Sequence, residues 1–207
     1  MSLDAINVPA SNGQAAQGLI VLLHGWGANA QDLVPLASML DLPAFQFLFP
    51  DAPFPHLQAP PGCRMWYDLI AQDAQQLATS RQKLKDWLAS LEHKTGIPAN
   101  RTILGGFSQG GAMTLDVGLP LSVAGLVSLS GYLHPHILVE GKTAPPVLMA
   151  HGKHDSVVPL QTAQQAKERL TEMGVAVEYQ EFEMGHEIRP EVLDWLKAFV
   201  TKQICNL

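Results

Sequence analysis

Hydrophobic residues along this chain fall into short unbroken runs separated by stretches of helical periodicity. Gly18-Leu19-Ile20-Val21-Leu22-Leu23, Phe45-Gln46-Phe47-Leu48-Phe49, Thr102-Ile103-Leu104, Val123 to Leu129 and Val147-Leu148-Met149-Ala150 are nearly continuous in apolar residues. Runs of this length and kind mark strands covered on both faces. Between them, Leu33, Leu36, Ala37 and Leu40 share one helical face, with Asp32 as the expected N-cap. Gln75 to Lys94 turns Leu77, Leu84, Trp87, Leu88 and Leu91 inward and Arg81, Lys83, Lys85, Asp86 and Glu92 outward, and Gly96 and Pro98 end it. A helix to about Gly118 follows Ser108, and helix, strand, helix close the chain over Leu160 to Met173, Val175 to Phe182 and Pro190 to Lys202. The first 17 residues read as an irregular or edge-strand lead-in. The alternation predicts an α/β fold of one domain, residues 1–207, with a mostly parallel central sheet and helices on both faces. Such sheets bind ligands at the carboxyl ends of their strands.

One segment departs from this alternation. Pro53 to Asp68 contains Pro53, Pro55, Pro60 and Pro61 together with Met65, Trp66 and Tyr67. Its aromatic content argues for an ordered loop, and Trp66 and Tyr67 are expected to line a substrate groove.

Composition narrows the function classes. The chain is 47% hydrophobic and 15% charged, which suits a sheet buried on both faces. Thirteen basic against nineteen acidic residues, with no basic cluster, argue against a nucleic-acid partner. No apolar run approaches the roughly 20 residues of a membrane-spanning helix, and no secretory leader pattern opens the chain. The two cysteines, Cys63 and Cys205, have no metal-ligand spacing and suit a reducing, cytoplasmic setting. His134-Pro135-His136 lacks a third ligand and reads as a surface turn, so no metal is assigned. Neither G-x-G-x-x-G nor a P-loop is present, and no cofactor is expected. The sequence leaves the oligomeric state open.

The chemistry converges on Gly106-Phe107-Ser108-Gln109-Gly110-Gly111. This G-x-S-x-G lies between the Thr102 strand and a helix-compatible stretch, the context that makes the pattern specific. Such a turn forces the serine into a strained conformation and exposes its hydroxyl at the sheet edge. A serine needs a base within reach and an acid to orient that base. With the nucleophile on such a turn, acid and base follow it in that order. His186, between the last strand and the last helix, is best placed as base, and Asp155, after the Val147 strand, as acid. Two donors must also meet the oxyanion of the tetrahedral intermediate. The backbone N–H of Gln109 supplies one, and the loop His24-Gly25-Trp26-Gly27 supplies the other through the Trp26 amide.

Taken with Leu23-His24-Gly25, Pro50-Asp51-Ala52-Pro53, Trp66-Tyr67-Asp68, His151-Gly152, Val158-Pro159 and Gly185-His186, these motifs make nearly the whole chain resemble one family. It is the small serine-esterase family of α/β-hydrolases that contains carboxylesterases, lysophospholipases and acyl-protein thioesterases. The resemblance implies the same roles for Ser108, Asp155, His186, Trp26 and Gln109, and an α/β-hydrolase fold. The family often has leucine where this chain has Trp26, a change that keeps the backbone donor but puts an indole at the acyl-entry side. The Ser130 to Pro145 connection has no room for an inserted lid domain. The expectation is a carboxylesterase cleaving small-molecule acyl esters of short to medium length through an acyl-enzyme. Lysophospholipid and acyl-thioester substrates, a serine peptidase, and a catalytically idle binding protein are the alternatives.

Overall fold

The computed structural model describes residues 3–137 and 144–205 of the 207. In chain order the elements are β1 Ala5–Val8, β2 Gly18–Leu23, α1 Ala30–Leu33, α2 Pro35–Met39, β3 Phe45–Pro50, β4 Phe54–Pro55, β5 Arg64–Met65, α3 Ala74–Ala89 and α4 Leu91–Thr95. They continue with β6 Thr102–Phe107, α5 Gln109–Gly118, β7 Gly125–Leu129, β8 Val147–Gly152, α6 Leu160–Glu172, β9 Val177–Phe182 and α7 Pro190–Cys205. Seven strands form one sheet in the order β1-β3-β2-β6-β7-β8-β9. β1 runs antiparallel to β3 and the other pairs are parallel.

Strand periodicity divides the core in two. Leu19, Val21 and Leu23 of β2 point to the face covered by Leu84 and Trp87 of α3, Met113 of α5 and Leu170 of α6. Ile20 and Leu22 point to the face covered by Leu36 of α2 and Leu196 and Phe199 of α7. This alternation is why β2 is apolar at consecutive positions.

The expected elements hold, with shifts at their ends. The lead-in is the edge strand β1. The first helix starts at Ala30, with Asn29 as N-cap, because the Asn29 side chain accepts from the Gln31 N–H at 2.9 Å while Asp32 reaches back to the Asn29 N–H at 2.8 Å. Asp32 is therefore the return partner of a capping box. The Gln75 to Lys94 helix divides at Ser90 into α3 and α4, and Gly96 ends the pair in the left-handed conformation. Within the proline-rich loop, β4 and β5 make a two-stranded ribbon. The short connection expected in place of a lid falls partly on residues 138–143, outside the described residues.

Candidate active site

Ser108 sits between β6, the central strand of the sheet, and α5. Its φ of 55° and ψ of −118° lie in a region that residues with a Cβ seldom adopt. The turn closes because glycines allow backbones to touch: a Cβ on Gly106 would lie 2.3 Å from Gly110 C, and one on Gly110 only 2.1 Å from Leu23 O. The Ser108 N–H donates to Leu129 O at 2.8 Å, which ties the turn to the end of β7. Half-buried, Ser108 stands at the carboxyl edge of the sheet.

Asp155 and His186 meet at the same edge, in the loops that follow β8 and β9. The His186 Nδ1–H donates to Asp155 Oδ2 at 2.7 Å, leaving Nε2 for proton transfer. Asp155 Oδ1 accepts from the Val157 and Val158 N–H groups at 2.9 and 2.8 Å. Burial alone would push this carboxyl up. The His186 bond and the two amide bonds outweigh that and hold it below the usual carboxylate range. The two loops are packed backbone to backbone, since a Cβ on Gly152 would lie 2.3 Å from Gly185 O. The His186 ring rests against Phe107, the neighbour of Ser108, with centroids 4.7 Å apart. The Ser108 hydroxyl is not hydrogen-bonded to His186 in the structure, and contacts of this kind commonly close only around substrate. Proton exchange between a serine and an acid-oriented imidazole is what this arrangement can do.

The loop His24-Gly25-Trp26-Gly27 borders Ser108 from the β2 side, so close that a Cβ on Gly25 would lie 3.4 Å from Ser108 Cβ. Neither the Trp26 nor the Gln109 N–H has an acceptor among the described residues. The indole of Trp26 packs edge-on against His56, with ring centroids 4.2 Å apart. It borders a cavity of about 170 Å³ lined also by Leu57, Met65, Asp68 and Gln76. That cavity is what the proline-rich loop contributes to the surroundings of the site.

Trp66 and Tyr67 do not line a groove. Trp66 is fully buried and Tyr67 nearly so, because both have backbone and side-chain partners inside the fold. The Trp66 indole N–H donates to His24 O at 3.0 Å. The Gln109 side chain accepts from the Trp66 N–H at 3.0 Å and donates to Tyr67 O at 2.8 Å. This dipeptide therefore fastens the His24 loop on one side and Gln109 on the other.

His24 is a buried anchor of the same loop. Its Nδ1–H donates to Gly25 O at 2.8 Å and its Nε2 accepts from the Ala52 N–H at 3.0 Å, a pattern only the neutral ring can satisfy. Burial depresses its pKa below the usual histidine value. A depressed folded pKa gives stability that is complete above the unfolded value of about 6.5 and is lost as pH falls through the folded value. We expect the wild-type Tm to fall on acidification from pH 7 to 5 more steeply than that of His24→Gln, which lowers Tm at pH 7 but cannot protonate. Parallel Tm–pH curves for the two proteins would refute this.

His134 corrects the expectation of a surface turn. Only His136 of the pair is exposed, whereas His134 is buried and bonded through Nδ1 to the Asp116 carboxylate. Arg81, expected to face solvent, also bonds Asp116, at 2.8 and 2.9 Å. The available signal was Asp116 itself, the single acid in α5, whose other residues are all buried.

The model of the phospholipase/carboxylesterase family matches residues 5–204. The chain is similar to acyl-protein thioesterase 1 of Neurospora crassa, at 35% identity over 87% of this chain and 82% of that protein. It is similar also to acyl-protein thioesterase 1 of Saccharomyces cerevisiae, at 32% identity over 93% of this chain and 96% of that protein. The crystal structure of esterase PE8 superposes with a TM-score of 0.88 at 32% identity, over 98% of this chain and 99% of that one. The fold and sequence together place this chain in the phospholipase/carboxylesterase family of α/β-hydrolases.

Proposed function

We propose that the protein hydrolyses short to medium acyl esters and acyl thioesters through an acyl-enzyme on Ser108. The observation that carries this reading is the 2.7 Å Asp155–His186 pair, with the imidazole resting on the residue before the nucleophile.

His186 Nε2 takes the hydroxyl proton as Ser108 Oγ attacks the acyl carbon, and Asp155 stabilises the imidazolium. The Trp26 and Gln109 amides hold the resulting oxyanion. On collapse the carbon–oxygen or carbon–sulfur bond breaks, and His186 passes its proton to the departing alcohol or thiol. Water, deprotonated by His186, then attacks the acyl-enzyme, releasing the carboxylic acid and restoring Ser108. All of these steps use side chains and amides of this one chain. Among the described residues no helix is long and apolar enough to cross a membrane. The free thiols of Cys63 and Cys205 support a cytoplasmic location.

A fluorophosphonate probe should label Ser108 stoichiometrically, and an acyl-length series of matched esters and thioesters should give its highest kcat/KM at short to medium chains. Absence of labelling on folded protein would overturn the serine mechanism. Faster cleavage of peptides than of esters would overturn the substrate class.

A further inference from the structure

Behind the site lies a buried hydrogen-bonded chain that the hydrolytic chemistry does not use. Asp116 of α5 is bound by the Arg81 guanidinium on one side and by His134 Nδ1 on the other. His134 Nε2 lies 2.8 Å from the Tyr67 hydroxyl, which in turn is hydrogen-bonded to the Tyr132 hydroxyl. This repeats the acid–imidazole–hydroxyl order of a catalytic triad, with a buried phenol in place of a nucleophile. Burial on its own would push the Asp116 carboxyl up, but the bonds from His134 and Arg81 hold it ionised and below its usual range. Burial raises both phenols, so Tyr67 and Tyr132 remain protonated.

The chain passes through Tyr67, the neighbour of Trp66, and Trp66 is the residue bonded to both halves of the oxyanion site. Tyr67 O and Trp66 N–H hold the Gln109 side chain, and Trp66 Nε1–H holds the carbonyl of His24 at the head of the Gly25-Trp26 loop. Tyr132 follows Gly131, which packs on Gly111 in the first turn of α5, a Cβ on Gly131 lying 3.1 Å from Gly111 Cα. The two phenols thus join the segments on either side of that turn.

We propose that Asp116 and His134 are positioning residues, which act through the Tyr67–Tyr132 hydroxyl pair to hold the Trp66–Tyr67 dipeptide, and thereby the Trp26 and Gln109 amides, in register with Ser108. The inference rests on the oxyanion roles given under Proposed function. His134 presents Nε2 to Tyr67 because Asp116 occupies Nδ1, the same orienting logic that Asp155 applies to His186. Displacing an oxyanion donor weakens the transition state while leaving ground-state binding in place.

The test uses Tyr67→Phe, His134→Ala and His134→Gln in the full chain, with p-nitrophenyl butyrate kinetics, fluorophosphonate labelling rates and Tm. Tyr67→Phe and His134→Ala should lower kcat about tenfold, since sub-ångström to 1 Å misplacements cost up to about 10²-fold, with KM within about twofold. The labelling rate of Ser108 should fall in parallel. His134→Gln, whose side-chain carbonyl can accept from the Tyr67 hydroxyl, should recover most of the loss. A folded Tyr67→Phe with wild-type kcat, a rise in KM alone, or a lower Tm without a kcat change would each overturn the proposal. If His134→Ala does not fold, Tyr67→Phe and His134→Gln still decide it. An inactive wild-type protein would instead refute the hydrolase reading on which the proposal stands.

Discussion

Ser108→Ala should leave a folded protein whose turnover of p-nitrophenyl butyrate is lower by about 10⁴-fold or more. The size follows from the loss of the group proposed to form the acyl-enzyme; amides and binding alone leave a small residue of catalysis. Folding should be unaffected, because alanine keeps the Cβ that Ser108 already carries at φ 55° and removes a hydroxyl that has no hydrogen bond among the described residues. The comparison is kcat/KM together with Tm for both proteins. Activity within tenfold of wild type in folded Ser108→Ala would remove Ser108 as nucleophile.

Gly110→Ala should be among the most destabilising single-methyl changes in the chain. Its Cβ would lie 2.1 Å from Leu23 O and 2.6 Å from His24 O, both backbone atoms of β2 and the loop that leaves it. No rotamer change relieves a clash with main chain, so α5 must withdraw from β2 or the turn must open. Overpacking of this kind costs about 3 kcal/mol or more, which for a chain of this size lowers Tm by roughly 6–12 °C. The same movement turns the Gln109 N–H away from the position of the oxyanion, so residual folded protein should also lose most of its kcat. Thermal melts and kinetics on the purified variant check both parts, and a Tm within 2 °C of wild type would show that the close approach is not required.

What could be read from the sequence depended on how locally each feature is encoded. Ser108, Asp155 and His186 each sit in a short motif at a strand's end, and a parallel sheet carries all such ends to one edge. The inner strands were legible because burial on both faces leaves few polar positions inside them. Trp66 was not, since an aromatic in a proline-rich loop has the same sequence signature whether it faces a groove or the core; only the partners of its indole and amide, His24 and Gln109, decide. His134 beside Pro135 reads as a turn because its partner Asp116 lies 18 residues away on another element. Asp32 reads as the N-cap because its carboxylate suits that position, whereas the capping box places Asn29 there and Asp32 as its return partner.

The placement of the proposed triad on the sheet has a mechanical side. Ser108 leaves β6, which has β2 and β7 hydrogen-bonded to its two edges. His186 follows β9, an outer strand joined to the sheet through β8 alone and only half-buried along its length. Structure opens most readily where backbone bonds are exposed and neighbours few. In the proposed triad, thermal motion in the sheet therefore reaches the base more readily than the nucleophile, which leaves a strand paired along both edges.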